Sequence, residues 1–215
     1  MRPSNSPHSD MPTARCYAAP MRNPVRIAAA LAALALGACA TMNTPVAGTG
    51  SRGTQAAGGC FEAANGRIGA AQGLALCNMA LADRSLPTPL HAATLVNRGV
   101  VHMKAERYDA ALMDYDAAIA EAPDSADAYI NKGIALLHMG NRDAEAAAVL
   151  TEALAHNPAR PELAYYHRAN AYEGLGLLRD AYNDYSEAAQ LAPDWAEPAN
   201  QLQRFKFVRR KTLAG

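Results

Sequence analysis

Beyond its first sixty residues this sequence holds few side chains that could do chemistry. His91, His102, His138, His156 and His167 could ligate a metal or carry protons, but their intervals match neither the i, i+4 pair of a helical metal site nor a Cys-x-x-Cys clamp. Their spacing therefore gives no metal centre. Asp114 with Asp116 and Asp180 with Asp184 are carboxylate pairs of a kind that general acid–base catalysis uses. On the outer face of a helix such acids are ordinarily solvated, which is the preferred reading. Gly174-Leu175-Gly176 resembles part of a phosphate-binding glycine loop, but no strand precedes it. Neither Cys60 nor Cys77 has a neighbouring basic group or helix start to activate its thiol. Glu173 and His167 come nearest to a titratable cluster, about a turn and a half of helix apart, which is too little to carry a reaction. The expectation is a protein that is no enzyme, with no cofactor and no small-molecule substrate.

The elements that would position these residues follow from composition. Alanine crowds the body while Val, Ile and Phe are sparse, and Ala costs least to fix in a helix, so the class is all-α. The chain carries 20 basic and 20 acidic residues, but Arg2, Arg15, Arg22 and Arg26 precede Cys39 against the single acid Asp10, leaving 16 basic and 19 acidic side chains after it. A mildly acidic body with its few clustered cations at the extreme C-terminus lacks the basic face that nucleic-acid binding needs.

The N-terminus reads as an address. After Met21, Arg22 and Arg26 come an apolar run at 27–36 and then Gly37-Ala38-Cys39, the order of a secretory signal. The run is too short to span a bilayer. Two cleavage readings fit: Ala38-Cys39-Ala40 satisfies the small-x-small rule, and Leu36-Gly37-Ala38-Cys39 resembles the lipobox of bacterial lipoproteins. The second, which is preferred, makes Cys39 the lipidated first residue of the mature protein. Ala40, where Asp would retain the protein at the inner membrane, points by the same resemblance to an outer-membrane lipoprotein facing the periplasm; the first cleavage leaves a soluble periplasmic protein. Residues 1–39 are thus a leader, with either Met1 or Met21 as its start. Residues 40–60, built from Gly, Thr, Ala, Ser and Pro, read as a flexible tether. An exported protein meets an oxidising compartment, so Cys60 and Cys77 are either a disulfide or a buried apolar Cys77 with an unpaired Cys60.

The rest is periodic. Pro123, Pro158 and Pro193 fall 35 residues apart, each after an Ala-rich helical stretch. In the first copy Gly99, Ala111, Tyr115, Ala118 and Pro123 stand in order; in the second, Tyr129, Gly133, Gly140, Ala146, Ala153 and Pro158; in the third, Tyr165, Ala169, Tyr172, Gly176, Ala181, Tyr185, Ala188 and Pro193. These copies resemble the tetratricopeptide repeat, a helix-turn-helix unit of about 34 residues, at 92–125, 126–160 and 162–195. One residue more lies between Gly140 and Ala146 than in the other copies, which predicts a longer turn. Residues 61–90, with a helix over 66–84, read as an N-terminal cap or half-repeat, and 196–212 as a C-terminal capping helix with Leu202, Phe205 and Val208 on one face. The resemblance implies a right-handed helical-hairpin solenoid of about three repeats between two caps.

It also implies a concave groove lined by the first helix of each unit. At the lining places stand Val96, Val100 and Met103, then Ile130, Ile134 and Leu137, then Tyr166, Asn170 and Glu173, with Asn97, Asn131 and His167 at the place where an asparagine in this family bonds a peptide backbone. The alternative is that the aliphatic residues only pack against the second helices. Val96 and Ile130 stand where a chaperone-tail clamp would need lysines, so that specificity is not expected. The resemblance implies a scaffold that binds a protein or apolar peptide in this groove, anchored to a membrane by its lipid in the cell envelope. A second reading is an accessory subunit of an envelope enzyme complex.

Overall fold

The computed structural model describes residues 51–205; the leader, Cys39, residues 40–50 of the expected tether and residues 206–212 of the expected C-terminal helix lie outside them. The described residues form nine helices and no strand: α1 (Arg52–Ala64), α2 (Ala70–Leu81), α3 (Thr88–Lys104), α4 (Tyr108–Glu121), α5 (Ala126–Met139), α6 (Asp143–Ala155), α7 (Pro161–Gly174), α8 (Leu178–Leu191) and α9 (Ala196–Leu202). None is long and apolar enough to cross a membrane. They pair as the hairpins α1–α2, α3–α4, α5–α6 and α7–α8, each packed on the next, with α9 against α8. The all-α hairpin solenoid read from the sequence is the architecture found.

Local chemistry sets the boundaries. Pro89 and Pro161 occupy the first turns of α3 and α7, where a missing N–H costs nothing. Pro123, Pro158 and Pro193 follow the ends of α4, α6 and α8, where they prevent continuation. Each intra-hairpin turn of the last three units spans three residues and holds a positive φ at the equivalent place: Glu106 (56°), Asn141 (54°) and Gly176 (74°). The predicted lengthening of the second turn is not found. The extra residue is taken up at the end of α5, which runs to Met139 and is closed by Gly140 at φ 71°.

The N-terminal reading needs correction. Residues 52–60, expected as tether, belong to α1, and 61–90 is not one capping helix, because α1 and α2 form a complete fourth hairpin. Glycine was the misleading signal. A Cβ at Gly53 would stand 2.2 Å from Asp83 Oδ2, at Gly59 2.6 Å from Leu76 Cδ1, and at Gly73 2.2 Å from Ala63 Cβ. The glycines let α1 and α2 touch, so a composition that suits a linker here serves packing. Asp83 ties the start of α1 down: its carboxylate accepts from Ser51 Oγ (2.9 Å), the Gly53 N–H (3.1 Å), and the Ser85 hydroxyl and N–H. These donors, the Ser85 hydroxyl foremost, hold the carboxyl down at about 2. Cys60 and Cys77 are disulfide-bonded, with sulfurs 2.04 Å apart, and are buried with Ala63, Ala64, Val100 and Val101. At the other end the expected helix over 196–212 is shorter within the described residues, since α9 stops at Leu202 and Gln203 caps it.

Because the disulfide closes a loop of 17 residues, replacing both cysteines with alanine is expected to cost the α1–α2 hairpin about 3 kcal/mol. Amide exchange should show this as faster exchange in α1 and α2 with little change in α5 to α8.

Candidate functional site

The first helices α3, α5 and α7 present one continuous face, and burial divides the expected groove residues along it. Val96, Val100 and Ile130 are buried in the core. Val100 packs with Cys60, Cys77 and Val101, because the α1–α2 hairpin that the sequence concealed covers it. Ile130 packs against Ala153, Leu163 and Ala164, beneath the following hairpin. These three are core residues and not groove lining. Met103, Ile134, Leu137 and Tyr166 are half-buried at the edges of the same clusters, and they are the apolar side chains a ligand could reach.

The polar positions are committed internally. Asn131 is buried, and its Nδ2 donates to the Asp127 carbonyl at 2.8 Å; Asn97 is also buried. Neither is exposed on the expected groove face. Asn170 Oδ1 accepts from the Tyr185 hydroxyl at 2.5 Å, and that hydroxyl also lies 3.1 Å from Glu173 Oε2. Burial, with the Glu173 carboxylate beside it, pushes the Tyr185 phenol well above its ordinary value, so it stays a donor. Arg204 pairs with Glu173 at 2.5 Å. The polar end of the face is thus tied to α8 and to the chain after α9.

Among the described residues the histidines are dispersed along α3, α5, α7 and the end of α6. His167 is half-buried and edge-on to the Tyr166 ring at 5.3 Å. Burial first, and His138 nearby, hold its pKa down at about 4, so it is neutral near pH 7. His102 is also lowered, chiefly by burial, although Asp114 lies 3.9 Å away. His138 and His156 stack on Tyr108 and Tyr129 at centroid distances of 5.7 and 5.1 Å, and His91 meets Glu121 at 2.9 Å. Among the described residues no three metal-ligating side chains cluster. Gly174 ends α7, and Leu175 and Gly176 open the three-residue turn to α8.

The aspartates hold the largest surprise. Asp114 and Asp184, expected on a solvated face, are only 4% and 7% exposed. Arg98 donates to both Asp114 oxygens (2.6 and 2.9 Å) and to Asn78 Oδ1 of the preceding hairpin (2.8 Å). Arg168 repeats this with Asp184 (2.7 and 2.9 Å) and Thr151 Oγ1 of the preceding hairpin (3.1 Å), between the rings of Tyr165 and Tyr172 at 5.5 and 5.6 Å. In the middle unit Lys132 reaches back to exposed Asp116 at 2.6 Å. Each cation lies one residue before the small residue of its first helix, beside Gly99, Gly133 and Ala169, and that placement was the available signal. These side chains join hairpin to hairpin.

Tetratricopeptide repeat models match residues 62–126, 96–161 and 163–194. None of the curated proteins matches the sequence. Among solved structures, the first such domain of the human RPAP3 protein is 26% identical, covering 53% of this chain and 87% of its own at TM-score 0.50. The first TPR of Spaghetti (RPAP3) bound to HSP90 peptide SRMEEVD is similar to the same degree, at 26% identity, 53% of this chain and 88% of its own covered, and TM-score 0.50. The MamA protein matches more of the chain, 70% against 79% of its own, at TM-score 0.57 and 20% identity, a likeness of fold alone.

Two outcomes follow from this arrangement. Asp184→Ala, which leaves Arg168 half-buried without its carboxylate, is expected to cost about 3 kcal/mol in urea unfolding, whereas Lys132→Met, breaking a pair whose acid is exposed, should cost under about 1 kcal/mol. For His167 the folded state holds a proton less tightly than the unfolded chain, so its contribution is complete above the ordinary 6.5 and is lost as pH falls toward 4. His167→Gln should flatten the decline of the thermal midpoint between pH 6.5 and 4.

Proposed function

We propose, from the premise that this chain belongs to the tetratricopeptide repeat family, that it is an interaction scaffold of the bacterial cell envelope, exported and lipid-anchored through Cys39. The fold is one whose members bind proteins or peptides, and the observation that carries the binding reading is the apolar strip of Met103, Ile134, Leu137 and Tyr166, half-buried along α3, α5 and α7. Aliphatic and aromatic side chains spaced along parallel first helices suit an extended or helical peptide with apolar anchors. The absence of lysine or arginine at 96 and 130 separates this groove from one that grips a chaperone's acidic tail, although a similar domain is described with an HSP90 peptide. Export is supported by the signal-like run ending in Leu36-Gly37-Ala38-Cys39 and by the Cys60–Cys77 disulfide, which suits an oxidising compartment.

Fractionating bacteria that express the wild type and Cys39→Ser tests the anchor. The expected result is acylated wild-type protein in membranes and soluble variant; two soluble proteins, cut after Ala40, overturn the lipid anchor. Partner retention on the immobilised domain tests the groove. Ile134→Glu with Leu137→Glu should abolish retention while keeping the far-ultraviolet spectrum, and unchanged retention by the folded double variant would place binding elsewhere.

A further inference from the structure

Repeat register places a titratable ring inside the first of the hairpin joints. One helical turn after the joint cation stands His102 after Arg98, Leu136 after Lys132 and Tyr172 after Arg168. Leu136 is fully buried, and the Tyr172 ring centre lies 5.6 Å from Arg168 Cζ. His102 takes the same place with its Nε2 3.9 Å from Asp114 Oδ2, an oxygen that already accepts from Arg98 Nε at 2.9 Å. Its side chain is 16% exposed, and its Nδ1 is buried without a hydrogen-bond partner among the described residues. A neutral imidazole with one idle nitrogen, just beyond hydrogen-bond reach of the carboxylate, adds little to the joint. A protonated one adds a charge to it.

The groups around that ring decide what the proton does. Asp114 faces it from α4, Arg98 from its own helix and Arg107 from the α3–α4 turn, while Asn78 of α2, the other partner of Arg98, is uncharged. Asp114 is already held by Nε and Nη2 of Arg98, so a further cation competes for one carboxylate and is repelled by two guanidinium groups. Burial acts in the same direction and is the larger effect: it lowers the His102 pKa from 6.5, with Asp114 opposing it. The folded state therefore holds this proton less tightly than the unfolded chain. The stability that goes with neutral His102 is complete above 6.5 and is lost as pH falls below it.

We propose that His102 is a proton switch on the first joint: when it takes up a proton, the Arg98–Asp114 pair and its tie to Asn78 loosen, and with them the seat of the α1–α2 hairpin on α3. The Arg168–Asp184 joint, which has Tyr172 in the same place, stays closed. Beneath the loosened hairpin lie Val100 and Val101, packed with the buried Cys60 and Cys77. Acid thus opens an apolar surface on α3, beside half-buried Met103 at the start of the first-helix face.

Amide exchange of the full chain tests this at about pH 7.5 and about pH 5.5, with rates corrected for their intrinsic pH dependence. Wild type is compared with His102→Tyr, which copies the third joint, and His102→Leu, which copies the second. Acid should speed exchange in α2, α3 and α4 several-fold more in the wild type than in whichever variant keeps its thermal midpoint at the higher pH. His167 is present in all three proteins, so its own acid effect cancels in the comparison. In the wild type, the His102 ring signals followed by NMR should titrate below 6.5. Equal acid acceleration in wild type and variant, acceleration confined to α6, α7 and α8, or a His102 ring that titrates at or above 6.5 each overturns the proposal.

Discussion

Each hairpin closes because its first helix carries almost no side chain where the second helix presents its bulkiest one. A Cβ at Gly99 would stand 2.4 Å from the Tyr115 ring, and one at Gly133 2.5 Å from Leu150 Cγ; Ala169 fills the same place beside Tyr185. Tyr115, Leu150 and Tyr185 are all fully buried. In a close-packed interior even one added methylene is felt, so this approach fixes the distance between helices and hence where every other side chain of the unit can reach. The first hairpin obeys the same rule with Gly59 against Leu76 and adds a disulfide where its core is made mostly of alanine and cysteine.

With that distance set, the residue just before the small one can serve two neighbours. Arg98 and Arg168 span from the second helix of their own hairpin to the second helix of the one before, and Lys132 reaches only the latter. The middle unit offers Val149 where the others offer aspartate, the same unit whose first helix carries an extra residue. Nearest-neighbour joints of this kind are what a solenoid has in place of one central core. They also divide the surface: the charged side of the stack joins units, and Met103, Ile134, Leu137 and Tyr166 take no part in those ion pairs.

The period of the prolines and the order of small and aromatic residues were enough to read the hairpin class, because those residues act locally: proline ends a helix and a small residue admits a neighbour. What did not read from sequence depended on contacts with other units. α1 was hidden because Gly53, Gly58 and Gly59 have a linker's composition, and only Asp83 opposite Gly53 and Leu76 opposite Gly59 reveal the packing. Val100 and Ile130 left the expected groove for the same reason, each being covered by an adjacent hairpin. Asp114 and Asp184 passed as solvated acids because their partners lie sixteen residues upstream, a separation that no single helix periodicity displays.

The central claim is that partners are held on the first-helix face and not on the ion-paired one. It is tested most directly by amide chemical-shift mapping of the isotope-labelled domain with a peptide selected from a random library. The account predicts the largest shifts at Met103, Ile134, Leu137 and Tyr166, with Arg98, Lys132 and Arg168 nearly unmoved. Shifts centred on Arg98, Lys132, Arg168 and their aspartates, with that apolar strip silent, would contradict it.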